Sequence, residues 1–223
     1  MAQQERAHIT RERLIDGAAV AFCRLGYVVA TTTDIAREAG ATRGALYFHF
    51  QSKEEIARAV IEKEQQLSAA SGTRIVELNR PALETMLLLS ADLGRRLQVD
   101  PVVKAGIRLT TEGSNFEPAL RAPYEQWLVT FGGIAEDAVA QSDFRDDIDA
   151  SAFARFLISA YTGVQLVSDT FTERDDLLPR LREMWTFLLP AVVAPHQMAR
   201  VLELLDEIFP APGAGANEAF AAK

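Results

Sequence analysis

Residues 32–55 read TTDIAREAGATRGALYFHFQSKEE, and this stretch decides the fold of the N-terminal part of the chain. The threonines at 31–33 offer an N-cap before Asp34, whose negative charge suits the start of a helix. Gly40 ends this second helix, because glycine adopts a positive φ more easily than other residues. A third short helix then carries residues 45–50. Two short helices joined by a glycine-containing turn predict a helix-turn-helix over residues 32–50.

The residues on either side extend the helical pattern. Upstream, apolar residues recur at the i, i+3, i+4 spacing of a helix: Leu14, Ala18, Phe22 and Leu25. We expect this first helix to stop at Gly26. Downstream, Ser52 and Glu55 have the spacing of a capping box, which predicts a fourth helix running to about residue 72.

Helical periodicity continues towards the C-terminus, and no stretch alternates as a strand does. Further helices are predicted at 81–97, 101–109, 123–141, 151–170 and 177–193, with a short last helix after Pro195. The sequence therefore predicts an all-α protein. It has an N-terminal three-helix head with the helix-turn-helix and a larger C-terminal helical bundle for ligand binding and dimerisation. We expect the domain boundaries at 1–53 and 54–209, followed by a low-complexity, disordered tail at 210–223.

Charge is divided unevenly along the 223 residues. The net charge is −8, but residues 1–53 carry seven Lys/Arg against five Asp/Glu, whereas the remainder carries 16 against 26. Phosphate contacts need local rather than global positive charge, so the head can approach nucleic acid while the acidic body is repelled. The alternative is that surface charge only keeps the protein soluble.

The third helix supplies the candidate DNA contacts, because in this motif its first turn enters the major groove. Arg43 can donate two hydrogen bonds to guanine O6 and N7, and Gly44 lets the backbone come close. Thr42 can contact a phosphate or a thymine methyl group. The candidates for phosphate contacts are Thr33, Tyr47, His49 and Lys53. A plain helical hairpin with solvated polar residues is the alternative that this pattern alone leaves open.

Residues 9–64 resemble the DNA-binding head of TetR-family transcriptional repressors. The resemblance rests on the segments 34–36, 39–40, 44–50 and 53–54 within the quoted stretch. It implies that Leu46, Phe48 and Phe50 are buried while Tyr47 and His49 point outward. Shorter body segments are similar to the family's γ-butyrolactone autoregulator receptors of actinobacteria: 105–109, Trp127, 141–143, 147–149, 163–165 and 184–185.

The resemblance implies a repressor that binds palindromic operator DNA as a homodimer and is released by a small-molecule inducer. That inducer is expected to be a γ-butyrolactone or a related butenolide. Arg43 stands where we expect lysine in this group, and its planar fork changes the expected base preference. Two alternatives stay open: a pseudo-receptor that senses an antibiotic or its intermediate, and a DNA-binding protein that needs no ligand.

A sensor needs a pocket, and Trp127 is its candidate anchor because a large rigid aromatic suits an apolar small molecule. The other candidate ligand contacts are Gln65, Gln66, Thr130, Phe131, Tyr161, Thr162 and Gln165. Three of these form a polar string at 161–165, and buried polar groups require partners. The partner is a ligand, or the three bond to one another or are exposed. The last two long helices are the candidate dimerising pair, through Phe153, Phe156, Ala160, Met184, Trp185 and Leu188.

No catalytic residue, metal or cofactor is expected. The three histidines (His8, His49 and His196) lack metal-ligand spacing, and the sequence holds no glycine-rich phosphate loop. The acidic run at 143–149 is better explained by helix capping than by a Mg²⁺ site. Cys23 is the only cysteine, so it forms no internal disulfide, and a redox switch there is disfavoured. No apolar stretch reaches the roughly 20 residues that span a bilayer, so we expect a cytoplasmic location without a membrane partner.

Overall fold

The computed structural model describes residues 2–112 and 121–210, except for the side chains of residues 2 and 3. In these ranges it has ten α-helices: α1 (Ala2–Val29), α2 (Thr32–Glu38), α3 (Arg43–His49), α4 (Lys53–Val76), α5 (Ala82–Val99), α6 (Pro101–Thr111), α7 (Ala122–Ala140), α8 (Ala150–Thr172), α9 (Leu177–Val192) and α10 (Met198–Ile208). The β-type pairing in the same ranges is one bridge between Phe144 and Val193. The predicted all-α class is confirmed. The predicted tail, apart from its first residue, lies outside the described residues.

Side chains at the helix starts fix the bounds that position the N-terminal helices. Thr31 caps α2 by accepting from the Asp34 N–H, while the Asp34 carboxylate accepts from the Thr31 N–H. Ser52 accepts from the Glu55 N–H at the start of α4, as the capping-box spacing predicts. The carboxylate of Glu55 reaches one residue further back, to the Gln51 N–H at 2.7 Å. Each cap satisfies backbone donors that the first turn of a helix leaves open.

Gly26 interrupts α1 but does not end it, contrary to the prediction. Its backbone has φ 74° and ψ 165°, values that glycine adopts without a steric penalty. The chain then resumes one more helical turn up to Val29. The physical reason is that Lys53 and Arg108 bind carbonyl oxygens on either side of this kink, as described below, so the last turn is held in place.

The chain divides into two compact units, residues 1–71 with 99–124 and residues 72–98 with 125–223. The first unit contains α1 to α3, most of α4, and α6, which packs along α1. Its core joins the helix-turn-helix to α1 and α4 through Phe22, Ile35, Leu46, Phe50 and Ile56, each at most 1% exposed. Ile35, Ala39 and Leu46 of the helix-turn-helix are all buried.

The second unit is built around α5, α8, α9 and α10. Its largest fully buried side chain is Trp185, whose indole Nε1 donates to Ser90 Oγ at 3.0 Å. The C-terminal end of α10 is held by two arginines, since Arg95 donates to the Ile208 carbonyl and Arg182 to that of Phe209. Within the described part of the chain, no helix combines the length and apolar character needed to cross a bilayer.

Candidate nucleic-acid interface

The helix-turn-helix is held against α1 by a close backbone approach. A Cβ atom at Gly17 of α1 would lie 2.5 Å from the Ala39 backbone nitrogen, so a side chain at this position would collide with the end of α2. Gly40 forms the following turn with φ 58°, as predicted. Arg13 of α1 donates to the carbonyl oxygens of Ala39 and Gly40 at 3.0 and 3.2 Å. Gly17 and Arg13 fix the turn between α2 and α3, and neither role was predicted from the sequence.

One side of α3 faces the core and the other is exposed. Leu46 and the following Phe50 are both 1% exposed, which confirms their predicted burial. Phe48 is 80% exposed, so its predicted burial is wrong. The prediction treated the residues of this run as alternating between inside and outside, which is the two-residue period of a strand. In a helix the period is 3.6 residues, so positions 46 and 50 share a face and position 48 turns away.

Arg43 and Tyr47 lie one turn apart on the exposed side of α3. The Arg43 guanidinium carbon is 6.0 Å from the centroid of the Tyr47 ring. The Tyr47 hydroxyl lies 3.1 Å from Thr32 Oγ1 at the start of α2. Hydrogen bonds with Thr32 and with Arg43 lower the pKa of the Tyr47 phenol. These contacts connect the first turn of α2 to the arginine that was predicted to read a base.

The remaining candidate DNA contacts differ in their exposure and in their hydrogen bonds. Thr33 is exposed in the first turn of α2, and Gly44 is exposed in α3. Thr42 is the N-cap of α3, where its hydroxyl accepts from the Ala45 N–H at 3.1 Å and keeps its own proton to donate. His49 is half-buried, and its ring packs edge-on against Phe48. DNA contacts by these residues stay predictions.

Lys53 has a structural task that the sequence did not reveal. Its ammonium donates to the carbonyl oxygens of Tyr27, Val28 and Ala30, at 2.7, 3.2 and 3.1 Å. It also lies 4.5 Å from the centroid of the Tyr27 ring. Burial lowers the pKa of this ammonium. All three donors are therefore directed at the end of α1, and a phosphate contact by Lys53 stays a prediction that must compete with them.

Helix α6 holds the same end of α1 from another side. Arg108 donates through Nη1 to the Cys23 carbonyl at 3.0 Å and through Nε to Glu112 at 2.9 Å. A Cβ at Gly26 would lie 2.9 Å from this guanidinium, so the glycine leaves the space that Arg108 fills. Arg108 belongs to the segment 105–109, whose likeness to γ-butyrolactone receptors was noted above. The likeness gave no indication of this contact.

The first unit also contains an open groove of about 550 Å³. It lies between α1, α4 and the start of α6, and it is lined by Asp16, Val20, Lys63, Leu67 and residues 99–102. Lys63, one of the lining residues, donates to Glu12 and Asp16 at 2.9 and 2.7 Å. None of the predicted ligand contacts lines this groove.

The predicted ligand contacts lie in both compact units. Gln65 is half-buried and Gln66 exposed on the part of α4 that belongs to the first unit. In the second unit, Trp127 and Phe131 are half-buried on α7, and Thr130 between them is exposed. Their role in ligand binding stays a prediction.

The polar string on α8 has partners inside the second unit. Tyr161 donates its hydroxyl proton to the Ser90 carbonyl at 3.0 Å, and burial raises its pKa. Gln165 is 2% exposed and accepts from the buried Arg174 at 3.1 Å. Thr162 is half-buried. Hydrogen bonds to Ser90 and Arg174, rather than to one another, therefore account for the polar groups of Tyr161 and Gln165.

The predicted dimer contacts need correction. Phe153, Met184 and Trp185 are at most 8% exposed within the protomer, and Phe153 packs edge-on against Phe144. Ala160 and Leu188 are half-buried. Of the six, Phe156 presents a largely exposed side chain, at 58%. Both helices carry apolar residues on more than one face, and the prediction chose the face that packs on the protomer's own core.

The same two helices carry a second apolar face, of which Phe156 alone was predicted as a dimer contact. Its members are large apolar side chains that are at least 44% exposed: Phe156, Leu166, Val167 and Phe171 on α8, and Phe187 on α9. They can be found in the sequence as the apolar residues of α8 and α9 that remain once the buried i, i+3, i+4 stripe has been assigned. An apolar surface of this kind marks a contact with a partner.

Comparison with known proteins agrees with this geometry. Residues 14–60 match the model described as bacterial regulatory proteins, tetR family, and residues 80–194 match the tetracyclin repressor-like C-terminal domain. The A-factor receptor protein of Streptomyces griseus is 31% identical over 201 residues, which span 90% of this chain and 70% of that protein.

Solved structures extend the likeness over nearly the whole chain. CprB from S. coelicolor A3(2) superposes with a TM-score of 0.82 at 33% identity, covering 92% of this chain and 98% of CprB. A gamma-butyrolactone receptor (ArpA-like protein) gives a TM-score of 0.77 at 32% identity, covering 91% and 97%. CprB has also been solved in complex with its biological operator sequence. With its exposed helix-turn-helix face, the chain belongs to the TetR family of DNA-binding transcriptional regulators and resembles the gamma-butyrolactone receptors within it.

Proposed function

We propose that this protein is a homodimeric repressor that binds palindromic operator DNA and leaves it when a small signalling molecule binds. The observation that carries the proposal is the exposed face of α3, where Arg43 lies against the Tyr47 ring. Arg13 of α1 holds the turn that precedes this helix. We assign DNA binding to residues 1–53 and ligand binding with dimerisation to residues 54–209.

Charge and hydrogen-bonding capacity support DNA as the partner of this face. The head has a small positive charge although the whole chain is acidic, so attraction to phosphates is local. An arginine on an exposed helix face can donate two bonds to guanine, which is worth about 1–3 kcal/mol of discrimination between bases. The hydroxyl groups of Thr33, Thr42 and Tyr47 are the proposed phosphate contacts around it.

The second apolar face, on α8 and α9, supports a symmetric dimer. Two copies of a self-complementary patch meet about a two-fold axis, and such a dimer presents two reading helices. The half-sites of the operator then lie about 34–36 Å apart or at a multiple of this distance, so the operator is a palindrome. An operator of this kind is chromosomal DNA, so we propose that the protein acts in the cytoplasm of a bacterium.

The inducer we propose is a γ-butyrolactone or a related butenolide. Support comes from the names of two relatives, the A-factor receptor protein and the gamma-butyrolactone receptor. Trp127 is the proposed pocket anchor, because it is an aromatic residue that the fold leaves partly accessible. To release DNA, the ligand must bind the conformation that does not bind DNA more tightly, and a 10⁴-fold preference corresponds to about 5.5 kcal/mol.

The DNA part of the proposal is tested by selecting duplexes from a random pool with the full-length protein at moderate salt. We expect an inverted repeat to be enriched. Arg43→Ala should then lose preference for one base pair in each half-site while the protein stays dimeric. Arg24→Ala is the matched control, since Arg24 is an exposed arginine of α1 that pairs with Glu38 and is not part of α3. Failure to enrich any inverted repeat would contradict the proposal.

The ligand part is tested by a mobility-shift assay on the selected duplex with butyrolactones, butenolides and antibiotics added in separate series. We expect a butyrolactone or butenolide to release the DNA, and Trp127→Ala to weaken this release without changing affinity for the duplex. Release by an antibiotic alone would favour the pseudo-receptor. No release by any compound would favour a protein that binds DNA without a ligand. Reciprocity also requires that the inducer bind less tightly to the protein–DNA complex.

A further inference from the structure

Among the described residues of the first compact unit, Phe48 has the most exposed large apolar side chain, at 80%. Its contact in the described structure is the neighbouring His49 ring, with centroids 5.1 Å apart in an edge-on arrangement. A phenyl ring that projects into water from a short helix gains nothing from burial in the fold. Such a side chain is expected where another molecule covers it.

The position of Phe48 on α3 indicates what covers it. Phe48 lies four residues after Gly44, so the two are on one face of the helix and about 6 Å apart along its axis. Arg43 and Tyr47 form the neighbouring row of the same exposed side. The ring is therefore continuous with the surface that the proposed function assigns to the major groove.

Gly44 leaves room beside the ring. A Cβ built at this position would meet nothing closer than Thr42 Oγ1 at 3.8 Å, so the space in front of the backbone is open. Open space at Gly44 and an exposed aromatic ring at Phe48 are therefore neighbours on one face of α3. A small apolar group that projects from a base edge fits beside such a ring.

We propose that Phe48 reads a thymine in each half-site by packing against its 5-methyl group in the major groove. This inference rests on the proposed function. A phenyl ring has no donor or acceptor, so it gains little from a phosphate or from the polar edge of a base. The thymine methyl is the apolar group that the major groove presents, and phenylalanine is one of the side chains suited to it.

The test uses uracil, which keeps every hydrogen-bonding group of thymine and lacks only the methyl. Starting from the inverted repeat that the wild-type protein enriches, each thymine of a half-site is replaced by uracil in turn, symmetrically in both half-sites. Fluorescence anisotropy then gives Kd for the wild type, Phe48→Ala, Phe48→Leu and the control Val76→Ala. Val76 is an exposed apolar residue at the far end of α4, 55% accessible.

At one thymine position, uracil should weaken binding of the wild type about fourfold per half-site, the value for one buried methyl group. Phe48→Ala should bind the thymine duplex correspondingly more weakly and should no longer distinguish uracil at that position. Phe48→Leu should retain part of the discrimination, and Val76→Ala should behave as the wild type. Because Phe48 is exposed, we expect each variant to keep the helical circular dichroism and melting temperature of the wild type.

Two results would overturn the inference. In the first, the wild type binds every uracil duplex as tightly as the thymine duplex. In the second, Phe48→Ala binds DNA but keeps the full uracil penalty, or loses affinity equally for all sequences, as for a contact with the sugar–phosphate backbone. Failure of the selection itself to enrich an inverted repeat is a different result, because it contradicts the proposed function rather than the role of Phe48.

Discussion

At the scale of single residues, two glycines in the first unit have opposite surroundings. Gly17 lies against the backbone of Ala39, and its missing side chain lets α1 and α2 touch. Gly44 faces open space on the exposed side of α3. Both are inside helices, where alanine is intrinsically favoured over glycine by as much as about 1 kcal/mol. A difference between the two substitutions therefore reports their environments.

Gly17→Ala should lower the free energy of unfolding by about 1–3 kcal/mol, because the new methyl group collides with backbone that cannot move aside cheaply. Gly44→Ala should leave that free energy unchanged or raise it by up to about 1 kcal/mol. Urea denaturation followed by circular dichroism measures both. Anisotropy with the selected duplex should show the opposite order for DNA affinity. Gly44→Ala should bind the duplex more weakly than Gly17→Ala, although it is the more stable of the two variants. A Gly17→Ala protein as stable as the wild type would contradict the close approach.

At the scale of helices, long polar side chains fix the ends and junctions of the elements. Arg108 of α6 holds the carbonyl of Cys23 beneath the kink of α1. Asp176, before α9, accepts from Ser168 and Thr172 of α8 and from Arg180 of α9. Each is a charge-assisted contact between elements, which is stronger than a neutral hydrogen bond.

Arg108→Ala should reduce stability by about 2 kcal/mol, because a hydrogen bond from a charged donor to the Cys23 carbonyl is lost. Hydrogen exchange should accelerate most at the amides of residues 27–30, which follow the kink. The matched control is Arg80→Ala, which removes an exposed pairing with Glu84 at 3.6 Å and should cost less than about 0.5 kcal/mol. Equal effects of the two substitutions would remove any special role from α6.

Asp176 gives the junction of α8 and α9 a dependence on acid. Hydrogen bonds from Ser168, Thr172 and Arg180 lower its pKa to about 2, below the ordinary value of 3.8. The ionised carboxylate therefore stabilises the fold fully above about pH 4, and this stabilisation disappears as the pH falls through about 2. Between pH 5 and 2 the melting temperature of the wild type should fall more steeply than that of Asp176→Asn. Parallel curves would show that the carboxylate does not contribute.

At the scale of the whole molecule, the exposed aromatic rings of the second apolar face are the proposed source of the dimer. Phe171 and Phe187 are 76% and 82% exposed, values at which an isolated protomer leaves most of each ring in water. Burial of a ring of this size on association contributes about 1.5–3 kcal/mol. Dimerisation and DNA affinity are coupled, because only a dimer occupies both half-sites.

Phe187→Lys should shift the protein towards monomer in analytical ultracentrifugation and weaken binding to the palindrome. Its effect on a single half-site should be small, since the substitution is in the second compact unit. Phe48→Ala provides the control, because it removes a similarly exposed ring from the head and should leave the sedimentation coefficient unchanged. A Phe187→Lys protein that sediments as a dimer would exclude this face as the main interface.

The sequence predicted the parts of this molecule that depend on neighbours along the chain. The caps at Thr31 and Ser52 and the turn at Gly40 depend on residues close together in the chain, so they could be predicted from the sequence. The contacts of Lys53 and Arg108 were not, because the carbonyl oxygens they bind are 23 to 85 residues away. Trp185 was misplaced for a related reason, since periodicity finds an apolar stripe but not which partner covers it.

The cluster around Lys53 has a consequence for how the head moves. The ammonium of Lys53, the first residue of α4, binds two carbonyl oxygens in the last turn of α1 and that of Ala30, which follows it. Because these bonds connect α4 directly to the end of α1, we expect a rotation of α4 to move the exposed side of α3 with it. In the proposed release from DNA, we therefore expect the helix-turn-helix to change its orientation while it stays folded.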